Sequence, residues 1–261
     1  MTILEKILAQ KRIEVDFAKT KLSLNDLRQQ PLYTRNCFSL AEALRRKKIG
    51  IIAEIKRASP SRGVIRENFL PAVFARAYAE NGAAAISVLT DVQFFQGNLG
   101  NLRDIRNCVS LPLLRKDFIV EEYQIHEAKA NGADAVLLIA AALEKNLLSD
   151  LHQAATGIGL EVLVEVHTQQ ELEKFDFGIV KLVGINNRNL STFDVDVSTS
   201  LRLKEYVPDG TLVVSESGIE SADQLLRLAS GGIHSFLIGE SFMRAEDPGA
   251  ALRALLEEVR S

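Results

Sequence analysis

Short apolar runs alternate with helix-like segments along the chain from about residue 49 to its end. The runs are rich in β-branched residues and span 49–55, 84–89, 111–115, 135–139, 161–166, 180–185, 211–215 and 235–238. An amphipathic or alanine-rich segment follows each run, which is typical of parallel strands joined by crossover helices. Most runs are apolar throughout, as expected for strands buried on both faces. We therefore predict an α/β fold, a single (β/α)8 TIM barrel, with an open doubly wound sheet as the alternative.

A weak internal repeat supports eight similar units. The sequence NGAAAI at 81–86 recurs as NGADAV at 131–136 and more loosely as GGIHSF at 231–236. In each copy a predicted helix ends on glycine, which tolerates the left-handed conformation at a helix end, and a strand follows at once. We expect this conformation at Gly82, Gly132 and Gly232.

The first 48 residues predict a helical extension packed on the barrel. Ile3, Leu4, Ile7 and Leu8 have helical spacing, and the sequence SLAE at 39–42 has the form of a capping box. No linker rich in glycine, serine or proline separates this part from residues 49–261, so we predict one domain over residues 1–261.

Composition narrows the possible partners and locations. The chain has 261 residues and a formal net charge of −3, so it lacks the basic footprint expected of a nucleic-acid-binding protein. Its longest apolar stretch, 135–143, is shorter than the roughly 20 residues that span a bilayer. Two cysteines, Cys37 and Cys108, make neither a disulfide framework nor a metal-binding spacing. We expect a cytoplasmic protein with no nucleic acid and no membrane among its partners.

Ionisable side chains stand in or beside otherwise apolar strands. Glu54, Lys56, Lys116 and Glu165 occupy such positions near the carboxyl ends of three strands. Unpaired buried charges are costly, so these groups should pair with one another or with a ligand. They form either salt bridges that close the barrel mouth or an active site, which lies at this end of a TIM barrel. Their convergence favours an active site.

Small residues follow the last two strands, where barrels of this type often bind phosphate. Ser217 and Gly218 come after the seventh strand, and Gly239 and Glu240 after the eighth. Backbone N–H groups approach a phosphate closely at such turns. Ordinary strand-to-helix turns are the alternative, but the paired occurrence favours phosphate binding.

Six motifs resemble those of the indole-3-glycerol phosphate synthase family, in the same order along the chain. They are IAEIKRASPS at 52–61, SVLTD at 87–91, LRKDFI at 114–119, LVEVH at 163–167, GINNRNL at 184–190 and SESGI at 215–219. The match extends from the helical extension to the last strand.

The resemblance implies a lyase of tryptophan biosynthesis. Such an enzyme converts 1-(2-carboxyphenylamino)-1-deoxyribulose 5-phosphate into indole-3-glycerol phosphate, with loss of carbon dioxide and water. It implies that Lys116 is the general acid, with a pKa lowered by its neighbours, and that Glu165 is the base. Lys56 would hold the substrate or act as a second acid, while Glu54 and Asn186 would orient the lysines and the substrate.

The resemblance also implies the remaining contacts of a phosphorylated small-molecule substrate. Ser59 and Arg188 would lie near its anionic groups, and Phe95 and Phe118 would line a pocket for its aromatic ring or belong to the plain core. The phosphate would bind at the four turn residues, with the Glu240 side chain pointing away. We expect segment 57–66 to be a mobile loop over the mouth. Neither a metal nor an organic cofactor is implied.

Three alternatives remain at this point. Another phosphate-binding barrel, such as phosphoribosylanthranilate isomerase or a Schiff-base aldolase with Lys116 as nucleophile, would share the fold. A barrel that serves only as a binding module would lack chemistry altogether.

The four histidines have no ligand spacing, and we expect them at surface or capping positions. A monomer and a weak homodimer both fit the sequence.

Overall fold

Eight parallel strands form a closed barrel in the computed structural model, which describes residues 1–189 and 192–260. The strands are β1 Gly50–Ile55, β2 Ala85–Leu89, β3 Leu113–Lys116, β4 Ala135–Ile139, β5 Glu161–Val166, β6 Leu182–Asn186, β7 Leu212–Glu216 and β8 Ser235–Ile238. Each strand pairs with its neighbours in sequence, and β1 pairs with β8 to close the ring. The predicted TIM barrel is confirmed. Leu190, which ends the fifth motif, lies outside the described residues.

Twelve α-helices lie before, between and after the strands of the described chain. They are α1 Ile3–Lys21, α2 Leu24–Arg28, α3 Leu40–Arg45, α4 Pro71–Glu80, α5 Leu99–Arg106, α6 Glu122–Ala130, α7 Lys145–Gly157, α8 Gln169–Leu172, α9 Ser198–Lys204, α10 Ala222–Ser230, α11 Glu240–Arg244 and α12 Pro248–Glu258. None of the helices within residues 1–189 and 192–260 combines the length and the apolarity needed to cross a membrane.

The predicted strand positions agree with the structure to within two residues. The largest shifts are at β3, predicted over 111–115, and β6, predicted over 180–185. β3 begins after Pro112, which has no N–H to donate to a neighbouring strand. Before β6, the N–H of Val180 bonds to Asp176 in a turn instead of a ladder. Both strands also end one residue later than predicted, at Lys116 and Asn186.

Alternation along each strand separates two hydrophobic cores. Ile52, Leu114, Leu137, Leu163 and Leu237 belong to the cluster inside the barrel. Their immediate neighbours in sequence pack outward against the surrounding helices in a larger cluster. Because side chains alternate with a period of two, an interior leucine is followed two residues later by another interior side chain. This register decides which residues reach the mouth.

The N-terminal extension contacts both ends of the barrel. Leu40 and Leu44 of α3 join the interior cluster. The Ser39 hydroxyl and the Ala41 N–H donate to the carboxylate of Glu161, at the start of β5, over 2.6 and 2.8 Å. Helix α3 therefore closes the end of the barrel where the strands begin, whereas α1 lies at the opposite end.

The predictions for the helix ends are confirmed, except for one detail of the α3 cap. Gly82, Gly132 and Gly232 follow α4, α6 and α10 and have φ of +97°, +88° and +83°, as predicted. Ser39 caps α3 by accepting from the Glu42 N–H. The Glu42 side chain, however, pairs with Arg46 instead of completing a reciprocal box.

The expectation for the histidines is wrong for three of the four. His126 and His152 are buried in α6 and α7, and His126 stacks on Tyr33 of the extension. His167 lies beside Glu165 with only 10% of its side chain exposed. Only His234 is exposed. The sequence pattern missed these positions because segments distant along the chain cover them.

Candidate active site

The interior side chains change from apolar to polar at the carboxyl ends of the strands. Two residues beyond Ile52 stands Glu54, and Lys116 and Glu165 follow Leu114 and Leu163 in the same way. Strand alternation points these polar groups into the barrel mouth, above the apolar interior.

All thirteen predicted site residues line one cavity of about 430 Å³. They are Glu54, Lys56, Ser59, Phe95, Lys116, Phe118, Glu165, Asn186, Arg188, Ser217, Gly218, Gly239 and Glu240. The residues come from distant parts of the chain, and barrel closure brings them together. A cavity of this volume has the size of a small-molecule site.

Two lysines and three glutamates form the polar centre of this cavity. Lys116 Nζ lies 3.1 Å from Glu165 Oε2 and 3.7 Å from Glu216 Oε2. Lys56 Nζ lies 2.8 Å from Glu54 Oε1. Only 2% of the Glu165 and Glu216 side chains is exposed, whereas Lys116 and Lys56 retain 16% and 15%. The ammonium groups are therefore the more accessible members of each pair.

The surrounding charges give the lysine and its two partners different protonation preferences. Burial lowers the pKa of Lys116, but Glu165, Glu216 and Glu54 outweigh it and raise that pKa above its usual value. The expectation of a lowered pKa is therefore wrong, because carboxylates outnumber ammonium groups here. Burial likewise opposes ionisation of Glu165, yet Lys116 and His167 hold its pKa below the usual range.

Glu216 has the opposite preference. Its burial and the charge of Glu165 raise its pKa well above the ordinary value, although Lys116 acts against this shift. Lys116 and Glu165 therefore favour their charged forms, whereas Glu216 favours its protonated form. Such divergent pKa values are typical of acid–base sites.

The turns after β7 and β8 have conformations that require small residues. Ser217 and Gly218 have φ of +67° and +76°, in the left-handed region. The side-chain amide of Asn187 donates to the Ser217 carbonyl over 3.0 Å and holds this turn. At Gly239, a Cβ would lie 2.5 Å from Glu54 Oε1, so a side chain there would displace Glu54. Both turns present backbone to the cavity.

An apolar wall faces another part of the cavity. The rings of Phe95 and Phe118 lie with centroids 6.0 Å apart and planes inclined by 38°. Ile3, Leu4 and Ile7 of α1 line the same cavity. The N-terminal extension thus contributes directly to the candidate site, which the sequence pattern did not predict.

Segment 57–66 contains a short antiparallel hairpin, Ala58–Ser59 with Gly63–Val64. Arg66 anchors its end by donating to the carbonyl oxygens of Ala245 and Glu246 over 2.7 and 2.9 Å. The mobility expected of this segment stays a prediction.

The Glu240 carboxylate engages arginines at the cavity edge. It lies 3.0 Å from Arg62 Nε and 3.5 Å from Arg188 Nη2. These contacts connect segment 57–66 to the turn after β8.

Comparison with known proteins identifies the family. The sequence profile described as indole-3-glycerol phosphate synthase matches residues 4–255. An indole-3-glycerol phosphate synthase from Salinibacter ruber (strain DSM 13855 / M31) is 48% identical over 260 residues, covering 99% of this chain and 96% of that protein. The chain belongs to the indole-3-glycerol phosphate synthase family. The family resemblance of the six motifs is thereby confirmed.

Solved structures outside the indole-3-glycerol phosphate synthase family share the fold. KGPDC from Streptococcus mutans superposes with a TM-score of 0.61 and 16% identity, covering 82% of this chain and 98% of that chain. Tryptophan synthase subunit alpha from Legionella pneumophila str. Paris gives 0.61 and 13%, covering 85% and 96%. At these identities the likeness extends to the barrel alone.

Sequence reasoning missed two ionisable residues at the site of this family member. Glu216 lies within the quoted motif SESGI, two residues beyond the interior Val214. Counting alternate positions along β7 would have placed it inside the barrel. His167 ends the quoted motif LVEVH, but its burial depends on packing that no local pattern encodes.

Proposed function

We propose that this protein catalyses the indole-3-glycerol phosphate synthase reaction and is thus a carbon–carbon lyase of tryptophan biosynthesis. Its substrate would be 1-(2-carboxyphenylamino)-1-deoxyribulose 5-phosphate, and its products indole-3-glycerol phosphate, carbon dioxide and water. The observation that carries the proposal is the contact of Lys116 with Glu165 and Glu216 inside the cavity that the family motifs line.

The cavity offers a separate region for each part of this substrate. The phosphate binds at the backbone of Ser217–Gly218 and Gly239–Glu240, and the aromatic ring binds against Phe95 and Phe118. The central ketone then lies near the lysines. Arg188 and Ser59 are placed to bind anionic oxygens. Holding the reacting atoms in one orientation removes much of the entropic cost of ring closure.

Lys116 acts as general acid by donating its proton to the ketone oxygen as the aryl carbon attacks. Its raised pKa keeps the amine protonated before the reaction, but it also makes the ammonium a weak acid. When bound substrate separates Lys116 from Glu165, the Lys116 ammonium loses one of the carboxylate charges that stabilise it. Binding therefore makes proton transfer easier at the step where it is needed.

Glu165 acts as base after decarboxylation, when loss of water completes the aromatic ring. Its lowered pKa keeps it ionised and ready to accept a proton. Lys56, held by Glu54 at 2.8 Å, supplies a second positive charge for the substrate or the leaving hydroxyl. The Asn186 side chain helps to hold the pKa of Glu165 below its usual value and orients this base.

The direct test is incubation of the purified chain with the carboxyphenylamino substrate while indole fluorescence is followed. We expect a steady rise in fluorescence and release of carbon dioxide. Borohydride added with substrate separates this reaction from the aldolase alternative. A covalent adduct with inactivation would favour the aldolase, and absence of all turnover would favour a binding module.

A cytoplasmic location accompanies this function. The free thiols of Cys37 and Cys108 suit a reducing compartment. The expected monomer or weak homodimer stays a prediction, which sedimentation velocity would test.

A further inference from the structure

His167 is a largely covered ionisable residue to which the steps above assign no role. It stands two positions after Glu165, and 10% of its side chain is exposed. Its Nε2 lies 3.4 Å from Glu165 Oε1 and has no hydrogen-bond partner within the described residues. The approach to Glu165 is therefore electrostatic and not a hydrogen bond, and it is an ion pair when the imidazole is protonated.

Glu171 of α8 fixes the other side of the imidazole ring. Its Oε2 accepts from the His167 backbone N–H over 2.8 Å and lies 3.4 Å from Nδ1. Burial lowers the pKa of His167, and Lys116 acts in the same direction. The Glu171 hydrogen bond and the charges of Glu165 and Glu171 outweigh both, so the pKa is raised above its usual value.

The two oxygens of Glu165 consequently face two different cations. Oε2 lies 3.1 Å from Lys116 Nζ, inside the cavity, and Oε1 lies 3.4 Å from His167 Nε2. His167 is not among the residues that line the cavity. When Lys116 donates its proton to a substrate, the positive charge beside Oε2 of Glu165 disappears. The charge of a protonated His167 beside Oε1 remains.

We propose that His167 is a positioning residue whose imidazolium keeps Glu165 ionised after Lys116 has donated its proton. The proposal rests on the proposed function, in which Glu165 is the base. The Lys116 proton passes to the ketone oxygen, and Glu165 later accepts a proton released by the substrate. His167 keeps its own proton throughout and acts only through its charge and orientation.

The decisive variant is His167→Gln, which keeps a polar side chain and removes the charge. An opposite charge at this distance lowers a carboxyl pKa by about one to three units. Its loss should move the acidic limb of the kcat/KM profile upward by about one pH unit. The activity ratio of wild type to variant is then largest on the acidic limb, below the pKa of Glu165 in the variant. It falls toward one at higher pH, where Glu165 is ionised in both proteins.

The matched control is His234→Gln, at an exposed histidine on the chain before β8. This variant should reproduce the wild-type profile. KM should change little in His167→Gln because the residue does not line the cavity. A wild-type-to-variant ratio that is constant across pH indicates a merely structural role and overturns the proposal.

A second measurement follows the imidazole directly and needs no substrate. The chain has four histidines, so the resonance lost in His167→Gln assigns the NMR titration of His167. We expect its pKa above 6.5 in the wild type and lower by about one unit in Glu171→Gln. An ordinary or lowered pKa in the wild type overturns the proposal.

The two measurements separate failure of this proposal from failure of the proposed function. A folded wild-type chain that forms no indole product refutes the function itself. An active wild type with an ordinary His167 pKa, or with a constant activity ratio, refutes only the role of His167.

Discussion

Lys11 attaches helix α1 to the rim of the barrel, and its replacement tests how firmly the extension is held. Its Nζ lies 2.8 Å from Asp91 Oδ2 and 2.9 Å from Asp117 Oδ1, and 5% of the side chain is exposed. The two aspartate side chains are exposed by 0% and 2%. Lys11→Met preserves the length of the side chain and removes its charge.

The contacts of Lys11 set the expected loss of stability in Lys11→Met. Removing one partner of a buried ion pair typically costs about 3–5 kcal/mol, because the opposite charge stays buried without compensation. Asp117 keeps a second cation, Arg115, at 3.1 Å, which places the cost near the lower end. We therefore expect Lys11→Met to lower the free energy of unfolding by about 3 kcal/mol at pH 7.

The loss of stability in Lys11→Met should depend on pH. Burial raises the pKa of Asp117, but Arg115, Lys11 and Thr90 outweigh it and lower that pKa to about 2. A lowered carboxyl pKa stabilises the fold above the unfolded value, near pH 4, and this contribution disappears as pH falls through about 2. Lys11→Met brings the pKa of Asp117 back toward its ordinary value. The difference in the free energy of unfolding between wild type and variant therefore has its full size at pH 7 and decreases below pH 4.

Urea unfolding followed by circular dichroism at pH 7, 4 and 3 measures the effect. Lys6→Met, at an exposed position of the same helix, is the control and should change stability little. If Lys11→Met is no less stable than Lys6→Met at pH 7, the ion pairs do not hold the extension and the reasoning fails.

Three further experiments have defined outcomes. Lys116→Ala should lower kcat by a factor on the order of 10² or more, as loss of a general acid does, and near-normal turnover in the fluorescence assay contradicts the assignment. Gly184→Ala would place a Cβ 2.1 Å from Glu216 Oε1 and should cost about 1–3 kcal/mol in urea unfolding. Gly157→Ala, with nothing within 4 Å of its Cβ, is the control, and equal stability of the two variants argues against the clash. Added viscogen should lower kcat if closure of segment 57–66 limits turnover, whereas an unchanged rate excludes that limit.

The barrel and its mouth were predictable because both follow from short-range periodicity. Apolar runs of strand length, glycines after helices and polar residues at strand ends are local features of the sequence. The strand that carries Glu165, for example, was predicted with its observed bounds of Glu161–Val166. Once eight parallel strands close, their carboxyl ends must face one cavity.

Contacts between distant segments were not predictable in this way. Lys11 meets Asp91 and Asp117 only because α1 folds back across the barrel mouth. The direction of the Lys116 pKa shift depends on the balance of three nearby carboxylates against burial, which strand periodicity does not count. The partners of His167 were not predicted for the same reason.

The attachment of the extension at both barrel ends has a consequence for synthesis of the chain. Ser39 and Ala41 bind Glu161, and Lys11 binds Asp91 and Asp117, so every one of these partners leaves the ribosome after the extension itself. At typical translation rates the wait is on the order of ten seconds. During that interval the first helices have no barrel to dock on, and the nascent chain must remain soluble without them in place.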